Sequence, residues 1–276
     1  MKLMTLRVGH ITYANCAPFF HHLAASGFDG EIVPGVPSRL NVLLAAGAID
    51  VSPSSSFEYA RNWQDYLLLP GQSISSFGPV RSVLLFSSRR LEDLDHSTIY
   101  LTGESATSIN LLKVLLREFL HHQHCRFSVP EGEVETLAVS GETALLIGDR
   151  ALRLGRSPQS WRYCYDLGEL WYRFTSLPFV FALWILRRDA AAAHPNQVRS
   201  LLAQLRSSRE KAFTALDQLA AASPERSWYP ETELVSYWRL MNYDLTADHL
   251  AGLKHFCMLC QRHDLLREIP EFQFFS

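Results

Sequence analysis

Short β-like runs alternate with helical runs through the first third of this chain, and that alternation limits the possible folds more than any other feature. Leu6 to Ile11 reads as a strand, Pro18 to Ala25 as a helix and Glu31 to Val33 as a strand. Ser38 to Ala46 then reads as a helix, Val51 as a strand and Ser55 to Asn62 as a helix. Parallel strands can be joined only through a crossover, so this order predicts βαβ units around a mostly parallel sheet. Val80 to Phe86 reads as a further strand, and the polar segment Ser87 to Ser97 is the expected first crossing between two lobes. A second α/β set follows, with strand-like Thr98 to Leu101, a helix from Ala106 to about His121 and strand-like Thr143 to Ile147. The apolar run Phe179 to Leu186 is long enough for a strand that carries the chain back. Two crossings predict a hinge, with residues 1–86 and 182–276 forming a discontinuous first lobe and residues 87–181 an inserted second lobe.

The last third is helical in pattern. Val198, Leu201, Leu202, Leu205, Phe213, Leu216 and Leu219 recur at spacings of three and four residues or their sums, which marks a core-facing stripe and not a cofactor box. Pro224 and Pro230 break that helix, and Glu231 to Asn242 and Ala247 to Leu266 read as two more. No internal repeat or low-complexity segment is evident. At 276 residues, 47% of them hydrophobic, the chain can bury two modest α/β cores. With 26 Lys and Arg against 28 Asp and Glu it offers no broad basic surface, so nucleic acid is not an expected partner. No apolar stretch approaches the roughly 20 residues of a membrane-spanning helix, and Met1 to Gly9 lacks the pattern of a secretory signal, so a cytoplasmic location with no membrane partner is expected.

Cys16, Cys125, Cys164, Cys257 and Cys260 are odd in number and scattered, which fits a reducing compartment better than a disulfide framework. Cys257 and Cys260 form a C-x-x-C in a helix-like stretch without a second pair, and read as a buried or half-buried helical face. His121, His122, His124 and Cys125 cluster at a helix end and read as a solvated terminus, so no metal is expected. His10, inside strand one, reads either as a core residue or as a residue facing the cleft. Glycine-rich nucleotide loops, the G-x-S-x-G elbow and the kinase motifs are all absent.

Polar chemistry concentrates in four turns, each at the end of a strand-like run, where open α/β sheets place their ligands. They are Thr12 to Asn15, Ser52 to Ser56, Thr102 to Ser108 (TGESATS), and Gly148 with Asp149 in ALLIGD. Helix N-termini present unpaired N–H groups and partial positive charge, so such turns can hold carboxylates without Lys or Arg. Ser54, Ser55, Ser105, Thr107, Ser108, Gly148 and Asp149 are therefore the candidate binding residues, and helix capping is the competing reading of each serine, threonine and aspartate.

Several segments resemble the chorismate dehydratase family of the futalosine route to menaquinone. They are GHITYANCAPFF (9–20), GVPSRLNVLLAAGAIDVSPSSSFEYA (35–60), LLLPGQSISSFGPVRSVLLFS (67–87), STIYLTGESATSINLLKVLL (97–116), ALLIGDRAL (144–152) and YDLGELWYRFTSLPFVFALW (165–184). The resemblance implies a two-lobed periplasmic-binding-protein-like type II fold and a cytoplasmic lyase working on a small-molecule substrate without metal or organic cofactor. It further implies loss of water from chorismate, with Asn15 and Ser82 as catalytic candidates. Without it, Asn15 reads as a helix cap and Ser82 as an ordinary serine within a strand. Three other readings share this architecture: a solute-binding protein for a small carboxylate, the related dihydroxynaphthoate synthase, and the effector lobe of a regulator. The TYANCAPFF and SSSFEYA segments favour the dehydratase over the second.

Overall fold

The computed structural model describes residues 5–157 and 161–276. Its strands are β1 (Arg7–Ile11), β2 (Glu31–Gly35), β3 (Val51–Ser55), β4 (Tyr66–Ser76), β5 (Val83–Ser87), β6 (Thr98–Leu101), β7 (Arg126–Ser128), β8 (Thr143–Ile147), β9 (Tyr163–Asp166) and β10 (Phe179–Arg187). Its helices are α1 (Ala17–Phe20), α2 (Pro37–Ala45), α3 (Ser56–Asn62), α4 (Ala106–Val114), α5 (Val134–Val139), α6 (Gly148–Gly155), α7 (Leu167–Thr175), α8 (Arg188–Ala193), α9 (Pro195–Thr214), α10 (Leu216–Ala222), α11 (Glu231–Leu240) and α12 (Ala247–Arg262). None of the described helices is long and apolar enough to cross a membrane.

The chain divides into two units. Unit 1 holds the chain up to Ile74, Ala182–Asp244 and Pro270–Ser276, and unit 2 holds Ser75–Phe181 and Leu245–Ile269. The sheet of unit 1 has the order β2-β1-β3-β10-β4, with β1 parallel to β2 and β3, and β10 antiparallel to β3. The sheet of unit 2 repeats this plan as β7-β6-β8-β5-β9, with β6 parallel to β7 and β8, and β5 antiparallel to β8. In each sheet the antiparallel strand is one that the chain brings in from the other unit, which is why a repeat invisible in the sequence exists in the topology. Pro270–Ser276 returns to unit 1, where Leu68 N–H donates to the Gln273 carbonyl (2.8 Å) and Phe275 N–H to the Leu68 carbonyl (2.9 Å), covering part of edge strand β4.

The division differs from the expected boundaries in two places, and packing explains both. The chain leaves unit 1 at Ile74 and not at residue 86, because β5 pairs with β8 and β9 inside the second sheet. Leu245–Ile269, expected in the first lobe, belongs to unit 2. There Phe256 of α12 meets Phe179 edge-on at 5.0 Å and Trp171 at 6.1 Å. Gly252 lets the α12 backbone approach closely, since a Cβ on it would lie 2.1 Å from the Pro178 carbonyl oxygen. Strand β4 has no counterpart in the sequence alternation, because Pro70 and Gly71 interrupt it and Gly71 takes a φ of 73°.

Candidate active site

Each sheet has one strand, β1 in unit 1 and β6 in unit 2, with later parallel strands on either side of it, so its carboxyl end marks the point where connections diverge and open α/β sheets leave a crevice. In unit 1 the ends of β1 and β3 bring Thr12 to Asn15 beside the Ser52 to Ser56 segment. Gly9 permits this approach, because a Cβ there would fall 2.3 Å from Ser52 Oγ.

After β1 the chain turns at Thr12 and Tyr13 into a short 3-10 helix, Ala14–Cys16. Two buried side chains of unit 1 hold that turn: Trp238 Nε1–H donates to the Ala14 carbonyl (2.7 Å) and the Tyr243 hydroxyl to the Asn15 carbonyl (3.0 Å). Complete burial pushes the Tyr243 phenol well above its ordinary pKa, so it stays a donor. Asn15 does not cap a helix. Tyr13 and Cys16 occupy the N-cap positions of the two short helices here, neither with a side-chain cap bond. The Asn15 Oδ1 is buried with no hydrogen-bond partner among the described residues, on a backbone fixed by two side chains. The sequence points to Asn15 through the family resemblance but does not show Trp238 and Tyr243, which lie more than two hundred residues away.

Ser52, Ser54, Ser55 and Ser56 are all buried. The structure extends β3 to Ser55, which becomes the N-cap of α3 without a side-chain cap bond, and Ser54 Oγ has no hydrogen-bond partner among the described residues. The first turn of α3 already carries Glu58, which pairs with Arg61 and accepts from Asn62 Nδ2 (2.8 Å) and the Tyr66 hydroxyl (3.3 Å). His10 stacks on Phe20 (ring centroids 3.9 Å apart), which in turn stacks on Trp184 (5.8 Å). It lines a cavity of about 340 Å³ with Thr12, Tyr13, Phe20, His21 and Glu225. Burial lowers the His10 pKa to about 4, so it is a neutral imidazole and a weak proton acceptor near pH 7.

In unit 2 the ends of β6 and β8 bring TGESATS and the Ile147-Gly148 turn together: Thr102 N–H donates to the Leu145 carbonyl (3.1 Å). Arg150 on α6 ties to Glu104 (3.4 Å) and pairs with Glu135. Ser105 is the N-cap of α4, accepting from Ser108 N–H (3.2 Å) and donating to Ser108 Oγ (3.0 Å), so capping accounts for this serine. Thr107 and Ser108 are buried in the first turn of the same helix. Gly148 adopts a φ of 59°, a conformation that favours glycine. Asp149 stands inside the first turn of α6, whose N-cap is Ile147, and lines a surface cavity of about 480 Å³ with Glu135, Arg150 and Arg153.

Ser82 precedes β5 and does not lie inside a strand as its flanking apolar residues suggest. It is buried, its carbonyl accepts from Gly148 N–H (2.8 Å), and its Oγ donates to the Val80 carbonyl (3.3 Å). The segment leading to it is held by Asp166, a residue not singled out from the sequence. The Asp166 carboxylate caps α7 at Gly168 N–H (2.9 Å) and Glu169 N–H (3.1 Å). It also accepts from Val80 N–H (2.9 Å) and Arg81 N–H (2.6 Å). Arg81 has a φ of 61°, so this acceptor fixes a turn that a non-glycine residue rarely adopts. The D-x-x-E-like run Asp166-Leu-Gly-Glu169 is the signal that marks the cap, though not its second task.

The remaining polar clusters lie elsewhere. His122 is not a solvated terminus: it is buried, with Nε2 2.9 Å from the Leu91 carbonyl. His124 is exposed and joins Asp95 and His96, whose ligand-type atoms lie within 4.8 Å of one another, on the surface of unit 2. Hydrogen bonds from the His124 backbone and ring help hold the Asp95 carboxyl at a pKa of about 2. Cys257 and Cys260 are buried on α12, and burial pushes the Cys257 thiol up to about 12.

This chain is similar to several known proteins. The chorismate dehydratase of Thermus thermophilus is 34% identical over 258 residues, spanning 88% of this chain and 91% of that protein. Among solved structures, a protein of Archaeoglobus fulgidus superposes with a TM-score of 0.76 at 18% identity, covering 96% of this chain and 100% of its own. The alkanesulfonate-binding protein SsuA of Xanthomonas axonopodis pv. citri, bound to MOPS, gives 0.69 at 15% identity, over 100% of this chain and 97% of its own. The Escherichia coli periplasmic aliphatic sulphonate binding protein SsuA gives 0.67 at 14%, over 99% and 94%. At such identities the structural likeness carries the fold alone, a two-lobed α/β fold of the periplasmic-binding-protein-like type II kind. A family model described as menaquinone biosynthesis matches residues 6–262, from one residue before β1 to the last residue of α12, and the chain belongs to that family.

Proposed function

We propose that this chain is a carbon–oxygen lyase that removes water from chorismate to give 3-[(1-carboxyvinyl)oxy]benzoate, a step of menaquinone biosynthesis. The observation that carries this reading is the 34% identity to a chorismate dehydratase across 88% of this chain and 91% of that enzyme. The family match points the same way.

The chemistry suits a site built from amides and hydroxyls. The C3 proton of chorismate is conjugated through the ring diene to the ring carboxylate, so its removal spreads charge onto carboxylate oxygens. Expulsion of the C4 hydroxyl then leaves a benzene ring, whose aromaticity supplies much of the driving force. The elimination is redox-neutral and requires no electron acceptor. In our reading the substrate's own enolpyruvyl carboxylate takes the C3 proton, Asn15 and Ser82 position the reacting atoms, and helix-terminal N–H groups stabilise the developing charge. Ser54, Ser55, Thr107, Ser108, Gly148 and Asp149 are proposed as substrate-binding positions, with Ser105 serving them through the cap of α4. Support comes from the unpartnered Asn15 Oδ1 and Ser54 Oγ, and from the left-handed Gly148 whose N–H rests on Ser82. A cytoplasmic location is proposed with it, supported by five cysteines that are all free thiols.

Incubating the purified protein with chorismate and resolving the mixture by chromatography tests the reading. Accumulation of the enolpyruvyl benzoate is expected, whereas recovery of unchanged chorismate would favour a binding protein for small carboxylates.

A further inference from the structure

Gln72 is a buried side chain that the fold does not use. It is 1% exposed, and among the described residues neither its Oε1 nor its Nε2 has a hydrogen-bond partner. A carboxamide offers two donors and two acceptor lone pairs, and burying it unpaired is unfavourable. Native proteins retain such groups mainly where a ligand or water completes them. Its position is specific. Gln72 lies on β4, two residues before the chain leaves unit 1, and β4 is the sheet neighbour of β10. The strand β10 enters unit 1 at Ala182, directly opposite Ser55 at the carboxyl end of β3. Asn15 Oδ1 and Ser54 Oγ, also without a partner among the described residues, belong to this same end of the sheet.

We infer that Gln72 is a further substrate-binding residue and that it recognises the C4 hydroxyl, the group that leaves. The inference rests on chorismate being the substrate. Near neutral pH both chorismate carboxylates are ionised and its ether oxygen carries no proton, so these groups only accept hydrogen bonds. The C4 hydroxyl is the single donor on the molecule, and it is the partner that Oε1 requires, while Nε2 can donate to any substrate oxygen. The aromatic product has lost that hydroxyl. Gln72 therefore distinguishes substrate from product, a property that a residue of purely structural role does not have.

Gln72→Met preserves volume and removes both polar atoms, and Gln72→Glu preserves shape while setting a carboxylate against an anionic substrate. Initial rates with chorismate, inhibition constants for 3-[(1-carboxyvinyl)oxy]benzoate and thermal midpoints are measured for both variants and the wild type. For Gln72→Met, kcat/KM is expected to fall roughly 10- to 100-fold, with the product inhibition constant changed less than about threefold. The midpoint of the free protein should stay level or rise, because an unpaired buried amide has been removed. Gln72→Glu should be slower still. A Gln72→Met enzyme with wild-type kcat/KM would overturn the inference, and so would a lowered midpoint with substrate and product weakened equally. Wild-type protein that leaves chorismate intact would instead refute the proposed reaction itself.

Discussion

Asp166→Ala removes one carboxylate that serves four backbone N–H groups: Gly168 and Glu169 at the start of α7, and Val80 and Arg81 ahead of Ser82. Loss of a helix N-cap costs about 1 kcal/mol. Each backbone N–H left without an acceptor in a half-buried turn adds roughly 1 kcal/mol or more, so the total is about 3 kcal/mol. For a protein of this size, that corresponds to a fall in thermal midpoint of roughly 6–12 °C. Asp166→Asn keeps one acceptor oxygen, the one facing the α7 cap, and loses the other, so it should fall about halfway between. The Val80-Arg81 turn should relax in both variants, because the left-handed Arg81 loses the bond that fixes it. Activity toward chorismate, assayed at least about 15 °C below each midpoint, should therefore drop even while the protein is folded. Melting by circular dichroism together with steady-state kinetics measures both effects. An Asp166→Ala protein that melts within about 2 °C of the wild type and turns over normally would refute the idea that this carboxylate positions Ser82.

Two further outcomes follow from the turns of unit 1. Asn15→Ala should lower kcat/KM roughly 100- to 1,000-fold, the cost of one donor or acceptor meeting charge in the transition state, with the thermal midpoint changed by less than about 2 °C. Kinetics and melting of one preparation check the pair. His10 sets a pH dependence of stability. Its folded pKa of about 4 lies below the value of 6.5 for a free imidazole, so the unfolded chain binds the proton more readily between those values. The contribution is full above about pH 6.5 and is lost as the pH falls to about 4, by at most about 3 kcal/mol. His10→Phe keeps the ring stacking on Phe20 and should flatten that acid limb in urea titrations at pH 7.5 and 4.5.

Much of the fold is readable from local pattern. Thr98–Leu101 and Thr143–Ile147 are strands within the bounds their apolar residues suggest, and the stripe from Val198 to Leu205 lies on α9. What the sequence does not show is pairing. The apolar residues of α12 announce a buried face, but that face belongs to Phe179 and Trp171, and only the packing assigns the helix to unit 2. Strands β7 and β9 are three and four residues long and mostly polar or aromatic, too short for a periodicity to register. The turns of the candidate site are visible because Ser, Thr, Asn and Gly mark strand ends, whereas the residues that brace them are not. Trp238, Tyr243 and Asp166 act through bonds spanning 85 to 228 residues of sequence, and an isolated Trp, Tyr or Asp carries no signal of so distant a partner.

Proton NMR of chorismate incubated with the purified protein reads out dehydration itself, because it follows the ring and the side chain of the same molecule. The C4 carbinol signal is expected to disappear as aromatic signals grow, while the enolpyruvyl vinyl protons persist on the product. An unchanged chorismate spectrum, or aromatisation accompanied by release of pyruvate, would contradict it.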